Sequence, residues 1–403
     1  MFSRRLALTA VFTFSHFIFF HAVAQRLTVE VKNPTKDYRE EIVGLDAAEV
    51  RSRVGESFRV LDRAGLDLPF QLSYDGKLLL QASVRAHGTA FYDIVAGAAP
   101  RFDTVCHGSL HPERKDDFAW ENDRGAYRVY GPALQRTGER SFGIDVWTKN
   151  SPELVVDQRY HIEDVIMMPI VDSLRRVNRH RGDSLYRTIS YHHDHGRGLD
   201  PYRVGATLGC GAPALMIGDS IVFPYCFKDY EILDDGPLRF TVHLIYHKVQ
   251  IGQDSVVENR IISLDKGSNF NSMTVWYEGL SSSQVNNPKT SPVTLCSGVV
   301  IQREDPEPVV LGPNYVSYTD PTDQPNLHQA PLYVAVLFPD GEVETRQQYG
   351  HALGVLSEYD GSRYTYYFGS AWAKYDVRTP EEWNARISWF MRGLRDPLQI
   401  SLR

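Results

Sequence analysis

Apolar and polar residues alternate at every second position along much of this chain. The pattern is clearest in LTVEV from Leu27, LRFTVHL from Leu238 and VTLC from Val293. A period of two turns one face of a β-strand toward a core and the other toward water. Asp-Gly pairs, which favour turns, separate several of these segments. Further strands are predicted at 76–85, 126–130, 143–148, 220–227, 255–264, 272–277, 332–337 and 363–368.

The alternating segments predict the fold class. A parallel sheet needs crossover helices between its strands, and few segments of this chain have helical periodicity. The sequence therefore predicts an all-β protein, a large antiparallel β-sandwich with few short helices. One helix is predicted near the C-terminus, where Thr379 and Glu382 form a capping box around Pro380. Its apolar face consists of Trp383, Ile387, Phe390 and Leu394.

The N-terminus has the three parts of a secretory signal peptide. Two arginines precede an apolar run over 6–20, and the small residues Ala22-Val23-Ala24 follow it. The run is shorter than the roughly 20 residues of a membrane-spanning helix. We therefore expect residues 1–24 to be removed and the protein to be periplasmic or secreted, with no membrane partner afterwards. Residues 25–403 are predicted to form a single β-sandwich catalytic domain, with a long surface loop over 302–329.

Charge and motif content exclude several classes of function. The net charge of −7 argues against nucleic acid as a partner, because binding to phosphates needs a basic surface. The chain lacks G-x-S-x-G, a phosphate-binding glycine loop, a dinucleotide fingerprint and H-E-x-x-H, so the sequence does not support a serine hydrolase, a nucleotide enzyme or a zincin. The four cysteines, Cys106, Cys210, Cys226 and Cys296, lack C-x-x-C spacing. They leave open a disulfide, with Cys210 and Cys226 nearest in sequence, or buried free thiols.

The segment KDDFAWENDR from Lys115 concentrates polar groups just before a predicted strand. Scaffolds commonly present functional groups on such loops. Trp120 could stack on a sugar ring, and Arg124 could clamp a carboxylate with two parallel hydrogen bonds. Glu121 and Asn122 lie beside them as candidate substrate contacts. The alternative is a salt-bridged turn around a buried Trp, which we favour for the two aspartates of the segment.

A second polar segment, YHHDHGRGLDPY from Tyr191, places three histidines beside two glycines. Glycine permits an irregular loop in which the backbone approaches a ligand closely. A histidine here could act as general acid or base, since its pKa lies near neutrality. Zinc binding is a second possibility, although the spacing matches no standard zinc signature, and a hydrogen-bonded surface turn is a third. The arginines over 175–203 could bind an anionic ligand such as a uronate or a sulfate, or form a solvated face of paired charges. We favour the solvated face for Arg175 to Arg181 and the anionic ligand for Arg197.

These two segments resemble the family known as domain of unknown function 4861. The specific matches are KDDFAWENDRGAYRVYGPAL from Lys115 and YHHDHGRGLDPYRVGATLGCG from Tyr191. Shorter matches are DDGPLRFTVHLIY from Asp234, ENRIISLDKGSNFN from Glu258, HALGVL from His351 and YYFGSAWAKYD from Tyr366. That family is typical of Bacteroidetes gene clusters for breaking down plant and algal polysaccharides. The resemblance implies a galactose-mutarotase-like β-sandwich, or supersandwich, and an enzyme that acts on oligosaccharides.

The resemblance also implies a substrate that ends in a uronic acid. Dehydration of ulvan-type oligosaccharides is a related activity, in which the C5 proton is removed and a group is eliminated from C4. Such a carbon–oxygen lyase is a dehydratase if water leaves and a polysaccharide lyase if a sugar leaves. The charge that develops on the carboxylate needs a cation, for which we predict Arg124 with help from Asn122. His195 is the predicted base, and His192 or Tyr202 the predicted acid.

The predicted substrate-binding residues are Trp120, Glu121, Asn122, His193 and Arg197. The family pattern has an acidic residue where His193 and Arg197 stand, so these two are expected to tune substrate choice. We expect an anionic oligosaccharide as partner and neither a metal nor a cofactor. Three other functions remain open: a mutarotase or epimerase with a base such as Glu121, a glycoside hydrolase using Glu121 and Asp194, or a carbohydrate-binding protein without turnover.

Overall fold

The computed structural model describes residues 26–280, 293–302, 309–323, 329–339, 343–357 and 359–403. The predicted signal peptide lies outside these residues. Strands account for 46% of the structure and helices for 18%, and the strands form antiparallel sheets. The prediction of an all-β, antiparallel fold is therefore confirmed.

Two sheets form a small sandwich at the N-terminus. The strands of sheet 1 are β1 (Arg26–Lys32), β3 (Phe58–Leu61), β4 (Asp67–Leu68), β7 (Thr89–Ala96) and β26 (Gln399–Leu402), and those of sheet 2 are β2 (Arg39–Asp46), β5 (Phe70–Leu72) and β6 (Lys77–Val84). Their orders are β26-β1-β7-β3-β4 and β2-β6-β5. Helix α1 (Ala47–Val54) closes a separate core that includes Val29, Leu80 and Ile94. The C-terminal strand thus returns to pair with the first strand of the described chain.

Three sheets form the larger sandwich. Sheet 3 contains β8 (His107–His111), β9 (Asp117–Glu121), β10 (Gly125–Val129) and β11 (Ile144–Thr148). Sheet 4 contains β12 (Cys210–Ile217), β13 (Ser220–Val222), β19 (Val293–Val300), β23 (Val343–Gln348) and β24 (His351–Leu356). Sheet 5 contains β14 (Phe227–Asp234), β15 (Arg239–Tyr246), β16 (Val249–Ile251), β17 (Asp254–Asp265), β18 (Phe270–Glu278), β20 (Val309–Leu311), β21 (Tyr315–Asp320), β22 (Leu332–Leu337) and β25 (Tyr364–Trp372).

Sheets 3 and 4 pack together against sheet 5. A parallel bridge between Ile144 and Gly209 joins the edge of sheet 3 to the start of sheet 4. The largest hydrophobic cluster lies between these layers, with Phe118 from sheet 3, Leu295 from sheet 4 and Phe240 from sheet 5. Alternating burial along the strands supplies this core, as the sequence pattern predicts.

The predicted C-terminal helix is confirmed as α6 (Pro380–Arg395). Thr379 accepts a hydrogen bond from the Glu382 backbone N–H, and the Glu382 side chain accepts one from the Arg378 backbone N–H. The side chains of Trp383 and Phe390 then pack on the outer face of sheet 5. The helix therefore covers a sheet face that would otherwise expose apolar residues.

Other helices were not predicted. They are α2 (Pro132–Gln135), α3 (Val156–Tyr160), a π-helical turn (His161–Met167), α4 (Met168–Val177), α5 (Arg179–Ile189) and a short 3-10 turn (Pro112–Arg114). Those between 156 and 189 follow one another between β11 and β12. No helix of the described residues is long and apolar enough to cross a membrane.

Three local predictions can be compared with the structure. The four cysteines are buried free thiols, so no disulfide joins Cys210 to Cys226. The predicted loop over 302–329 is wrong in its described part, because β20 and β21 lie within it and extend the edge of sheet 5. The strand predicted over 220–227 is two strands, since β13 ends at Val222 and β14 begins at Phe227.

Candidate functional site

The outward face of sheet 3 is covered by two segments that follow it in the chain. Along β9, alternation turns Phe118 and Trp120 toward the main core and Glu121 to the opposite side. The helical cover (residues 156–189) and the histidine loop (residues 190–200) lie on that opposite side. Ala119, Ala126 and Trp147 of the sheet pack there against Val156, Tyr160 and Tyr191.

Trp120 and Asn122 are buried and hold the fold together. The indole Nε1 of Trp120 donates to Asn271 Oδ1 at 2.8 Å, and its ring is 0% exposed. Asn122 Nδ2 donates to the carbonyl oxygens of Asp265 and Ser268. Neither side chain is free to contact a sugar or a carboxylate. We therefore correct both assignments from substrate contact to turn structure, which was the alternative for this segment.

Both carboxylate oxygens of Glu121 accept hydrogen bonds from the protein. Its Oε1 accepts from the backbone N–H groups of Val155 and Val156, each at 2.8 Å. Its Oε2 accepts from the buried ammonium of Lys149 at 2.6 Å. These bonds join the start of the helical cover to sheet 3. A catalytic carboxylate needs a free oxygen, so the structure argues against Glu121 as a base or as one of a hydrolase pair with Asp194.

The histidine loop is shaped by contacts with the end of β11. The Thr148 backbone N–H donates to the Leu199 carbonyl oxygen at 2.8 Å. Gly198 has a φ of 91°, and a Cβ there would lie 2.1 Å from the Thr148 carbonyl oxygen, so only glycine fits. Asp194 Oδ1 accepts from the backbone N–H of Gly196 at 2.9 Å. These bonds hold the intervening side chains in defined positions.

A cleft with a volume of about 360 Å³ opens between the histidine loop and the helical cover. His193, His195 and Arg197, three of the predicted residues, line it, and Arg159 and Ile162 of the helical cover form part of the opposite wall. Small-molecule sites commonly have volumes of roughly 300–1,000 Å³. Among the described residues, no group of three or more His, Cys, Asp or Glu side chains is arranged to hold a metal ion.

The two cleft histidines differ in what their rings can offer a ligand. His195 Nε2 lies 2.9 Å from the carbonyl oxygen of Ser190, which can only accept, so Nε2 carries a proton. In the neutral ring this leaves Nδ1 with its lone pair free, as a base requires. The ring of His193 lies 6.5 Å away, and burial, reinforced by His195 and His192, lowers the pKa of His193. His193 is therefore neutral at pH 7.

The guanidinium of Arg159 lies on the cleft wall, and the surrounding protein compensates its positive charge only in part. Its Nη2 donates to the Arg197 carbonyl oxygen, while its Nη1 is buried and has no hydrogen-bond partner in the described structure. Burial lowers the pKa of Arg159, which means that its charged form lacks full compensation. Arg197 is more exposed, and its Nη1 donates to Gln158 Oε1 at 3.2 Å. The cleft thus combines two imidazoles with two guanidinium groups.

Arg124 lies in a different cavity. Its Nη1 is 3.3 Å from Asp376 Oδ2, and its side chain lines a space of about 460 Å³ between the two sandwiches and α6. No residue lines both this space and the cleft beside the histidine loop. The predicted meeting of Arg124 with His195 in one cleft is therefore corrected, because the turn after β9 directs Arg124 toward α6.

The two predicted acids point away from the cleft or are buried. The Tyr202 hydroxyl donates to the Gly209 carbonyl oxygen at 3.0 Å, and its side chain is in the main core. His192 Nδ1 is 3.2 Å from the Asp200 carbonyl oxygen and 3.5 Å from Asp200 Oδ2. Tyr202 is thereby corrected to a core residue. His192 connects the loop to the charged network beneath it.

That network surrounds one buried guanidinium. Arg128 Nη2 donates to Asp145 and, at 2.8 Å, to Asp200 Oδ2, and its Nη1 lies 3.5 Å from Asp117 Oδ2. Burial raises the pKa of Asp117 to about 6 and raises the pKa of Asp145. Three carboxyl groups thus share one cation under the floor of the histidine loop.

His107 lies on β8, an edge strand of sheet 3, and connects this sheet to the helical cover. Its Nδ1 is 2.7 Å from Asp235 Oδ2 and its Nε2 is 3.1 Å from Asp157 Oδ2. Hydrogen bonds to Asp157 and then Asp235 raise the pKa of His107 to about 10. The pKa of Asp157 is lowered chiefly by its hydrogen bond to His107. The imidazolium therefore bridges two carboxylates on separate segments.

We expect His107→Gln to remove a pH-dependent part of the stability. A histidine with a raised folded pKa contributes fully below its ordinary pKa of 6.5, and the contribution is lost as the pH rises toward about 10. The difference in unfolding free energy between wild type and variant should therefore shrink between pH 6 and pH 10. Urea unfolding at both pH values measures it, with the exposed His180→Gln as control. A difference that stays constant would contradict the bridge.

Ser109 and His111 resemble part of a nucleophilic triad but are not arranged as one. Ser109 Oγ lies 3.1 Å from His111 Nε2, and His111 Nδ1 lies 3.1 Å from Glu113 Oε1. However, the Ser109 hydroxyl donates to Asp157 Oδ1 at 2.8 Å, so its proton is not directed to the histidine. A neighbouring carboxylate also opposes the negative charge of an acyl-transfer intermediate.

Arg159 was the main functional candidate missed by the sequence analysis. It belongs to the helical cover, where only a few buried residues, such as Val156, Tyr160 and Val171, mark the inner face. The cover also exposes Ile166 and Ile170, which obscures the amphipathic pattern. No helix was predicted after β11. Such a prediction would have indicated that Arg159 lies opposite the histidines.

Comparison with known proteins identifies the family. The model for domain of unknown function 4861 matches residues 31–400. "Uncharacterized protein P7" of Formosa agariphila is 26% identical over 392 residues, which cover 90% of each chain. Among solved structures, a protein of glycosyl hydrolase family 38 from Enterococcus faecalis matches with a TM-score of 0.48 and 8% identity, over 94% of this chain and 47% of that one.

An α-mannosidase from Enterococcus faecalis V583 matches with a TM-score of 0.49 and 9% identity, over 94% of this chain and 46% of that one. The chain therefore spans about half the length of these two solved proteins. The family match, in contrast, extends over nearly all of the described residues. On that match, the chain belongs to the family named domain of unknown function 4861.

Proposed function

We propose that the protein is a carbohydrate-active enzyme that eliminates a group from C4 of a terminal uronate in an anionic oligosaccharide. The observation that carries the proposal is the cleft that His193, His195 and Arg197 line opposite Arg159. Elimination needs a base for the C5 proton and a cation for the adjacent carboxylate, and the cleft offers both.

Arg159 takes the role that the sequence analysis gave to Arg124. A uronate carboxylate in the cleft would offer the Arg159 guanidinium an acceptor, which its buried Nη1 lacks in the described structure. The same contact would stabilise the negative charge that spreads onto the carboxylate as the C5 proton leaves. Arg197, more exposed at the rim, would contact a neighbouring anionic group of the chain.

His195 serves as base and then as acid in this mechanism. Its Nδ1 takes the C5 proton, and the electron pair of the C5–H bond forms the C4=C5 double bond. The C4–O bond breaks, its electron pair leaves with the oxygen, and that oxygen takes the proton from His195. Water leaves from a terminal hydroxyl and a sugar leaves from a glycosidic bond. His193, neutral at pH 7, donates a hydrogen bond to the substrate rather than a proton.

Replacement of His195 by Ala tests the proposal. With uronate-terminated oligosaccharides, the wild type is expected to produce a rise in near-ultraviolet absorbance from the unsaturated product. Mass spectrometry then distinguishes loss of water from chain cleavage. We expect a loss of rate of at least 10²-fold in the variant, because general base catalysis commonly contributes 10²–10⁴-fold.

The control for this experiment is His180→Gln, which changes an exposed histidine of the helical cover outside the cleft. Urea unfolding of each variant shows whether the fold is retained. Undiminished turnover by His195→Ala would remove it as the base. Binding of the oligosaccharide without any product from the wild type would instead identify a carbohydrate-binding protein.

A further inference from the structure

A groove lies at the junction between the small sandwich, sheet 5 and α6. It consists of two adjoining cavities of about 460 Å³ and about 290 Å³, which share Glu41, Trp389 and Phe390. We call it the junction groove. No residue that lines it also lines the cleft of the histidine loop. Any ligand of the groove would therefore occupy a second site.

Trp389 lines both cavities of the junction groove. It is half-buried, and its indole Nε1 donates to the Tyr38 carbonyl oxygen at 3.2 Å. Its neighbours Phe390 and Leu394 pack into the core beneath α6, whereas Trp389 joins none of the hydrophobic clusters of the described residues. No other aromatic ring of the described residues pairs with it. An indole placed in this way presents a flat apolar face to the groove.

Tyr38 extends the aromatic surface of the groove. Its side chain is 54% exposed, and its hydroxyl donates to Glu40 Oε2 at 3.0 Å. Tyr367, from β25, lines the same cavity. Trp389, Tyr38 and Tyr367 thus line one concave surface. Flat rings that carry polar tips suit the alternating apolar and hydroxyl faces of a sugar.

Two cations of the groove, Lys266 and Arg124, retain hydrogen-bond donors that no described residue engages. Lys266 is half-buried, and no acceptor of the described residues lies within hydrogen-bonding distance of its ammonium. Arg124 has a buried Nε without a hydrogen-bond partner. In contrast, Asp265 accepts two hydrogen bonds from Arg239, at 2.5 and 2.8 Å.

The two glutamates of the groove are also engaged. Glu41 accepts from Arg39 at 2.5 and 2.8 Å, and Glu40 accepts from Gln81 at 2.8 Å as well as from Tyr38. A ligand that enters therefore meets available positive charge beside aromatic rings. Because the Lys266 ammonium and the Arg124 Nε lack hydrogen-bond acceptors among the described residues, an anionic group on the ligand would be favoured there.

From this combination we infer that the junction groove is a second, non-catalytic binding site for an acidic oligosaccharide. Trp389 stacks on a sugar ring, and Lys266 contacts a carboxylate or sulfate on that ring or the next. The inference rests on the groove's own residues and does not require turnover in the histidine cleft. Binding of a long acidic oligosaccharide at this second site raises its effective concentration at the histidine cleft.

Calorimetric titration tests this inference. The background is full-length mature protein with Arg159→Gln, which weakens the histidine cleft and isolates the groove. The probes are tetragalacturonate, which carries carboxylates, a sulfated tetrasaccharide with an uncharged backbone, and neutral cellotetraose. We expect at least one acidic probe to bind, and Trp389→Ala or Lys266→Met to weaken that binding at least tenfold. Lys228→Met, at an exposed lysine outside the groove, is the matched control.

Each outcome decides the inference. Binding of only one acidic probe supports it and names the anionic group. Equal binding of cellotetraose overturns the acidic ligand class, and absence of binding by all three probes at millimolar concentration overturns the site. Unchanged affinity in both Lys266→Met and Trp389→Ala, with folding verified by urea unfolding, would place the ligand elsewhere. Turnover is followed by absorbance and groove binding by heat, so the two proposals can fail independently.

Discussion

Replacing Arg128 by Met is expected to lower the free energy of unfolding by about 3–5 kcal/mol at pH 8. Removing one partner from a buried ionic cluster leaves the other charges without compensation. This destabilises a protein more than replacing the whole cluster with apolar residues does. Arg128 is 3% exposed and contacts Asp117, Asp145 and Asp200. Methionine fills much of the volume of the arginine side chain, so the loss of stability reflects the missing charge more than lost packing.

The predicted loss depends on pH, and its sign follows from the carboxyl groups. The pKa of Asp117 is raised to about 6 and the pKa of Asp145 is also raised, chiefly by burial, while Arg128 opposes both shifts. A carboxyl group whose pKa is higher in the folded than in the unfolded state stabilises the folded state at low pH. This contribution is lost as the pH rises through the folded pKa. Without Arg128 both folded pKa values rise further. The variant should therefore be closer to wild type at pH 5 than at pH 8.

Urea unfolding at pH 5 and pH 8 measures both effects. The matched control is Arg136→Met, because Arg136 is largely exposed and lies 3.7 Å from Asp116. Such a pair should contribute less than about 1 kcal/mol. A similar small loss in Arg128→Met at pH 8 would show that the three carboxyl groups do not depend on the guanidinium.

The fold could be predicted because burial follows strand alternation so closely. In β17, for example, Val256, Ile262 and Leu264 are buried at even positions of the sequence. The C-terminal helix was also predictable, since its capping box and its apolar face are local features. Both depend on neighbours in sequence rather than on distant contacts.

The site was predicted only in part because its decisive contacts are distant in sequence. His193, His195 and Arg197 were identified because polar residues beside glycines stand out in any sequence. Trp120 and Asn122 stand out equally, yet their partners lie near 265–271, and no local pattern reveals that burial. The motif of the first segment therefore reflects tertiary structure more than catalysis.

Replacing Arg159 by Gln is expected to lower kcat/KM for a uronate-terminated disaccharide by about 10²–10³-fold. Loss of one group that stabilises developing negative charge in an enzyme typically costs this much. Arg159→Gln removes the guanidinium charge together with one internal hydrogen bond, from Nη2 to the Arg197 carbonyl oxygen, and a neutral substrate separates the two effects. Because the charge grows as the proton leaves, kcat should fall as well as the apparent affinity.

A neutral substrate makes this prediction specific. The methyl ester of the same disaccharide lacks the carboxylate charge, so the wild type should act on it poorly and Arg159→Gln should cause little further loss. Equal losses on the acid and the ester would show that Arg159 acts through the fold instead of the carboxylate. Arg176→Gln is the control, because that side chain is exposed and donates to Asp172 of its own helix.

Arg124→Gln separates the two hypotheses for the carboxylate partner. The sequence alone favoured Arg124, whereas the structure places Arg159 beside the histidines and directs Arg124 toward α6. We expect Arg124→Gln to reduce turnover of the disaccharide less than tenfold, since Arg124 lines the junction groove and not the histidine cleft. A larger loss in Arg124→Gln than in Arg159→Gln would mean that the carboxylate is held outside the histidine cleft. His195 could then not reach its C5 proton, and the elimination mechanism would need a different base.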